Sequence, residues 1–446
     1  MADLKQLARR IFHETLAAID IPLTMQRKLV REGSLLRCGP ATSDLSHFTK
    51  VRVVAIGKAA HAMLDGLKAI LPRDVSFAGI ASAPVTSANP HSDIQYFVGG
   101  HPIPNDDSWN AAKAILEMLS ACDNQTLVFF LLSGGGSALV ELPLDPLINL
   151  ADMQQIHRLL IGCGAPIEAI NTVRKHISAV KGGRLATAAN GATKITLAVS
   201  DVPAGKEWAL ASGPTLPDPT TLSDMEDVLD KYALRHKFPD AFHRWAAREA
   251  IPETPKAGDP SFKNANFSIL LGLDNLFHPA HGAAEGAGCI TCCDNATDDW
   301  PVDRAAEYLL AQLEELRSIN PSRYVAVIAD GEVSSPITGN GIGGRNAAFV
   351  LSCVEKIAGK NFAVLSAGTD GIDGNSPAAG AVADGETLAR AHALGLDPRD
   401  AFQRSDAYTF FNRLDDAIII GPTGNNLRDL RVLIAAPAKE SFSGEI

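Results

Sequence analysis

Short apolar runs alternate with segments of helical periodicity along almost the whole chain. That alternation constrains the fold more than any other feature. The runs are Val51–Ile56, Val75–Ala81, Gln95–Val98, Thr126–Leu132 and Lys194–Val199, then Ser268–Leu271, Tyr324–Ala329, Phe362–Ser366 and Asp416–Ile420. Between them the spacing predicts helices over Ala59–Leu71, Asp107–Ala121, Leu150–Leu160, Pro166–Ser178 and Gly182–Ala189. Further helices are predicted over Met225–Tyr232, Pro301–Leu316, Asn346–Ala358 and Gly385–Leu394. Apolar strands separated by helices read as α/β architecture, a mostly parallel sheet with helices on both faces. The polar, proline-bearing stretch Arg248–Phe267 interrupts the pattern and reads as a linker, which predicts domains at residues 1–260 and 261–446. A chain of 446 residues can bury a core in each. The final "PAKESFSGEI" reads as a frayed end.

Charge and composition exclude several functions. A net charge of -11 argues against a nucleic-acid surface, although local basic clusters can still meet anionic substrates. No apolar run reaches the roughly 18 residues a membrane span needs. The N-terminal "MADLKQLARRIFHETLAAI" is amphipathic and lacks an apolar signal core. Seven cysteines fit a reducing compartment, with the cytoplasm as the default. Cys289, Cys292 and Cys293 have no second pair at zinc-like spacing and read as small buried thiols.

The unusual chemistry sits just after the strands, where open α/β sheets bind ligands. "LVFFLLSGGGSALV" ends an apolar strand in Ser133-Gly134-Gly135-Gly136-Ser137, which either cradles an anion at a helix start or only makes a tight turn. "RVVAIGKAAHAML" puts Lys58 at a strand–helix junction, facing a phosphate or the solvent; it is no P-loop, because Ala59 follows the lysine. "NTVRKHISAVKGGRLA" clusters Arg174, Lys175, His176, Lys181 and Arg184. "SDVPAG" places Asp201 at another strand end, as a general base, a Mg²⁺ contact or a turn residue. "TGNGIGGRNAAF" matches a dinucleotide fingerprint only as a spacing and suits phosphate contacts by Arg345 better. Asp370 and Asp373 in "GTDGIDGNSPAAGA" could hold Mg²⁺ or a hydroxyl, or make a structural turn.

Taken in order, "AIGKAAHAM", "LLSGGGSAL", "NTVRKHISAVKGGRLA", "SDVPAG", "ASGPTLPDPTT", "GIGGRNAAF" and "GTDGIDGNSPAAGA" resemble the class II glycerate kinases over roughly residues 5–435. The resemblance implies an N-terminal Rossmann-like domain, a smaller MOFRL-type α/β domain and an active site in the interdomain cleft. It implies transfer of the γ-phosphoryl group of ATP to D-glycerate with Mg²⁺, most often at the 2-hydroxyl. Lys58 and Arg345 match the lysine and arginine implicated in catalysis, and Asp201 a site aspartate. Gly134, Gly135, Gly136 and Ser137 match the anion loop, with Ser133, Asn171 and Lys181 as further substrate or phosphate contacts. Asp370, Asp373, Gly343, Gly344 and Asn346 are the nucleotide and metal candidates, Asp370 foremost for the metal. D-glycerate and ATP are the expected partners, with neither nucleic acid nor membrane, and a homodimer is the assembly expected. The chain departs from the family pattern at Ala347 and Ala348, where a polar Gln-Glu pair is usual, and in the segments Leu271–Gly288 and Gly331–Gly339. Two rival readings are an NAD(P)H-dependent hydroxypyruvate reductase and a non-catalytic sugar-acid binder. The first is disfavoured by the single glycine at Gly57, where a dinucleotide turn needs three.

Overall fold

Contacts divide the chain into a first unit, Ile21–Gly272, and a second made of Met1–Asp20 with Leu273–Ile446. The computed structural model describes residues 3–438 apart from Pro40, Arg73, Asp74, Ser76, Asn190, Ala204, Glu249 and Asn426. Most of the expected frayed end at Pro437–Ile446, and Ser76 of one expected strand, therefore lie outside the described residues.

The first unit opens with the helix Ile21–Lys28, followed by a small antiparallel sheet of β1 (Leu29–Glu32), β2 (Leu35–Cys38) and β3 (Ala41–Asp44). Its main sheet holds β4 (Lys50–Ile56), β5 (Phe77–Ala83), β6 (Ile94–Val98), β7 (Thr126–Ser133), β8 (Thr193–Val199) and β9 (Ala265–Leu271). The spatial order is β6-β5-β4-β7-β8-β9 and every pairing is parallel. Strand β7 is buried at every position, as a central strand covered on both faces must be. Val54, Val128, Phe130 and Leu132 pack against Ile115 and Leu119 of the helix Asp106–Ser120. That helix begins where Asn105 and Ser108 cap each other reciprocally. A separate cluster, with Met153, Ile156, Leu229, Phe242 and Trp245, joins the helices Leu150–Gly162, Leu222–Lys231 and Asp240–Arg248.

From β4 the chain winds outward through β5 and β6, then returns to lay β7 on the opposite side of β4. The winding direction reverses between β4 and β7, and the crevice at such a switch point is where doubly wound sheets bind ligands.

The second unit holds β10 (Cys289–Asp294), β11 (Tyr324–Asp330), β12 (Phe362–Gly368), β13 (Gly380–Asp384), β14 (Ala417–Ile418) and β15 (Asp429–Ala435), in the order β10-β11-β15-β12-β13-β14. Only β10–β11 is parallel. The parallel sheet expected here is corrected to a mixed one. The fully buried β15, which the sequence pattern does not predict, inserts antiparallel between β11 and β12. The helix Leu4–Ala18 belongs to this unit: it buries Ala8, Ile11 and Phe12, packs on β12 and β15, and sends Lys5 Nζ to Asp416 at 2.8 Å. The expected division at 260/261 falls before β9, which pairs with β8 and so carries the first unit to Gly272. Among the described residues no helix is long and apolar enough to cross a membrane.

Because Phe130 lies wholly buried on the central strand, Phe130→Ala leaves a cavity among residues fixed by the sheet. Urea unfolding should show a loss of about 3–5 kcal/mol with little change in the m-value.

Candidate active site

At the switch point the turns after β4 and β7 are stitched together through the backbone. Lys58 N–H donates to the Gly134 carbonyl at 3.0 Å and Ala59 N–H to Ser133 Oγ at 2.9 Å. Gly57 has φ +125°, and a Cβ there would meet Ser133 Oγ at 2.2 Å and Ser133 O at 2.6 Å. Only glycine permits that approach. At Gly135, with φ +82°, a Cβ would lie 3.5 Å from Lys58 Cγ and 3.3 Å from His101 Cδ2. The lysine stem and His101 therefore lie along the bare backbone of the glycine loop. Asp201 follows Ser200 at the end of β8, the strand next to β7, and is half-buried.

The helix expected after the glycines is a single turn, Gly136–Leu139, so its dipole contributes little. Ser133, expected to face the ligand, is 0% exposed and braces the Lys58 turn instead. Ser137 does reach outward from the loop: its Oγ shares a hydrogen bond with Ser212 Oγ at 2.8 Å, and Ser212 donates to Asn171 Oδ1 at 3.2 Å. Ser212 sits in a run of left-handed backbone, Ala211, Ser212 and Gly213. Two of these are not glycine, which marks strain held by the surroundings. The carbonyls of Ser212 and Gly213 accept the N–H groups of Gly182 and Gly183, which anchors the loop.

The basic segment of Arg174–Arg184 is folded inward. Lys181 Nζ donates to Glu141 Oε2 at 2.6 Å, with both side chains almost wholly buried, so this expected phosphate contact is occupied inside the protein. Glu141 also accepts from Ser178 Oγ at 2.6 Å and pairs with His157 Nε2 at 2.9 Å. Burial opposes its ionisation, but Lys181 and His157 prevail and hold Glu141 down near 2. Lys175 pairs with Asp218 at 3.1 Å and lies 4.2 Å from the centre of the Trp208 ring. His176 contacts Glu253 at 2.8 Å. Arg174 is 7% exposed, and among the described residues its Nε has no acceptor.

In the second unit Arg345 opens the helix Arg345–Ile357 and is held by two carboxylates, Asp429 at 2.5 Å and Glu332 at 2.7 Å. Burial works against its charge, but Asp429 and Glu332 overcome this and raise its pKa. Asp373 caps the same helix, accepting Asn346 N–H at 3.0 Å and Ala347 N–H at 2.8 Å. Burial pushes Asp373 up to about 7 against those donors. A Cβ on Gly344 would lie 2.3 Å from Asp373 Oδ1, Gly343 N–H binds Asn375, and Asn346 accepts from Ser366 at 2.6 Å. Asp373, Gly343, Gly344 and Asn346, expected near nucleotide or metal, thus build the helix start. Ala347 and Ala348 lie in the apolar core of this unit. Asp370 is half-buried and accepts Ile372 N–H in a turn; its Oδ1 lies beside Gly368, as does Asp429 Oδ1.

Among the described residues no group of three or more His, Cys, Asp or Glu is arranged to hold a metal ion. A kinase Mg²⁺ needs only one or two protein carboxylates beside the phosphates. Asp373 does not fit, because both its oxygens face backbone N–H groups. Asp201 and Asp370 are half-buried carboxylates in the turns that follow β8 and β12, each with contacts of its own. Sequence reasoning included Ser212 in "ASGPTLPDPTT" and Glu332 in Gly331–Gly339 without giving either a role, and did not single out His101 or Asp429. They stand far along the chain from the motifs they support, and no local spacing signals them.

Two family models match separate stretches of the chain. Residues 7–247 match a domain of unknown function, DUF4147, and residues 325–429 match the MOFRL family. The D-glycerate 2-kinase of Thermotoga maritima is 33% identical over 85% of this chain and 89% of its own. The glycerate 2-kinase of Pyrococcus horikoshii is 34% identical over 86% of this chain and 87% of its own. A relative from Agrobacterium vitis, 33% identical over 96% of this chain and 94% of its own, bears the name putative hydroxypyruvate reductase. The crystal structure of glycerate kinase from Thermotoga maritima superposes with a TM-score of 0.82 at 30% identity, covering 98% of this chain and all of that one.

Replacing Glu141 by Gln strands Lys181 in the interior and should cost about 3–5 kcal/mol at neutral pH. The depressed carboxyl stabilises the fold above the unfolded pKa of about 4.5, and the stabilisation fades as pH falls toward 2. Melting temperatures of wild type and Glu141→Gln should therefore differ most near pH 7 and converge on acidification.

Proposed function

This chain belongs to the class II glycerate kinase family, in which a DUF4147 domain precedes a MOFRL domain, and we propose that it transfers the γ-phosphoryl group of ATP to the 2-hydroxyl of D-glycerate. The observation that carries this reading is Lys58, packed along the glycine loop at the switch point of the parallel sheet. A cation on a stem beside bare backbone suits an anionic substrate, and phosphoryl transfer asks mainly for positioning and charge neutralisation. In the reaction the 2-hydroxyl oxygen bonds to the γ-phosphorus, the bridge to the β-phosphate breaks, and ADP leaves. The hydroxyl proton passes to a carboxylate, Asp201 or Asp370. Lys58 offsets charge on the transferring group; Arg345, which the resemblance matches to a catalytic arginine, has its guanidinium held by Asp429 and Glu332. Asp201 and Asp370 are also the carboxylates suited to Mg²⁺, which when bound neutralises phosphate charge. The Ser133–Ser137 loop receives a carboxylate or phosphate through its backbone. Seven free cysteines accord with a cytoplasmic setting.

The reductase name carried by the Agrobacterium vitis relative has less support in this chain. The turn after β4, the first strand of the main sheet, carries one glycine followed by a lysine, where a dinucleotide turn needs three glycines.

Incubation with D-glycerate, ATP and Mg²⁺ should release ADP and yield a product that enolase consumes without phosphoglycerate mutase. A requirement for the mutase would move the attack to the 3-hydroxyl. Hydroxypyruvate-dependent oxidation of NAD(P)H with no ADP release would replace the reading altogether. Lys58→Ala should lower kcat on the order of 100-fold or more while the melting temperature holds; retained turnover in a folded variant would remove Lys58 from the chemistry.

A further inference from the structure

Arg174 stands one turn after Asn171 on the helix Ile167–Ile177, so the two side chains share a face. Asn171 reaches the glycine loop through Ser212 and Ser137. Arg174 lies in charge range of Glu141, in the segment that leaves that same loop. The Arg174 residue is only 7% exposed, yet among the described residues it makes no hydrogen bond or ion pair, and its Nε is shielded without an acceptor.

The charges around it do not balance. Glu141 is the one anion at hand, and Lys181 already binds it at 2.6 Å. His157, also against Glu141, is kept neutral because burial lowers its pKa. One buried positive charge is left over, and an isolated buried charge is costly unless a counter-ion arrives. A planar guanidinium with free donors suits a carboxylate through two parallel hydrogen bonds. A single excess charge matches a monoanion and not a triphosphate.

We propose that Arg174 anchors the carboxylate of the acceptor, a small 2-hydroxy acid, beside the glycine loop; this rests on the kinase reading above. The anchored carboxylate would hold the neighbouring 2-hydroxyl at a set distance from the loop, making Arg174 a specificity determinant for the acid and not for the nucleotide.

The test compares wild type, Arg174→Gln and Arg174→Lys, by kinetics with each substrate varied and by calorimetric binding of D-glycerate without nucleotide. For Arg174→Gln, KM and Kd for D-glycerate should rise roughly 10- to 100-fold, the worth of a charged hydrogen-bonded contact, while KM for ATP stays within about twofold. Arg174→Lys keeps the charge and so guards against a folding failure; losing the fork, it should still bind D-glycerate several-fold more weakly. Unchanged D-glycerate affinity in either folded variant overturns the inference and leaves Arg174 as a partner of Glu141 alone. A rise confined to the ATP KM overturns it in favour of a phosphate contact. Wild type that neither binds nor phosphorylates D-glycerate overturns the kinase reading itself, and with it this inference; active wild type with indifferent variants overturns only Arg174.

Discussion

The candidate site depends on the contact between Gly57 and Ser133. Two parallel strands that end side by side leave backbone groups with no further ladder to join, and here those groups bind one another. Lys58 N–H meets the Gly134 carbonyl and Ala59 N–H meets Ser133 Oγ. The approach leaves no room for a Cβ at Gly57. Because the two turns are locked, the Lys58 stem and the glycine backbone keep one geometry, and preorganised charge is what phosphoryl transfer requires of a protein. The serine that looks most like a ligand in the sequence is the one that makes this lock.

Both units bury cations, Arg431 in the second donating to the carbonyls of Asp330 and Gly331, but they differ around the candidate site residues. In the first, cations are drawn into the interior and mostly paired: Lys181 with Glu141, Lys175 with Asp218 under the Trp208 ring. Such pairs add little net stability over apolar packing, but breaking one is expensive, so they fix where the surrounding loops run. In the second unit Arg345 stays partly exposed at a helix start, with Asp429 and Glu332 directing its fork. A guanidinium already held by carboxylates loses little side-chain entropy when a substrate arrives.

The helices that lie between strands could be read closely from apolar spacing, which is a local signal. The second sheet was less legible. Strand β15 owes its place to pairing with β11 and β12, which are distant in the chain, and its seven buried residues carry no period that separates them from any apolar run. The N-terminal helix could be seen as amphipathic, but not that its apolar face packs on β12 and β15. At the site, the glycines and Lys58 were visible as motifs. Ser212 was visible only as part of "ASGPTLPDPTT"; its role was not, because its left-handed backbone and its bridge from Ser137 to Asn171 arise only once the loop is anchored on Gly182 and Gly183.

By itself the sequence determined the α/β alternation, the loops that carry the chemistry and the family, because period, strand-end glycines and ordered motifs are properties of neighbours along the chain. The tertiary structure decided which of those polar residues are paired inside the protein. Lys181, Ser133 and Asp373 have the residue types of ligands, yet each meets a partner from a remote segment and is buried with it. Arg174, set in the same basic run, finds none for its Nε among the described residues. Whether a charge is paired depends on which segments fold against it, and that is a property of packing that no local pattern encodes.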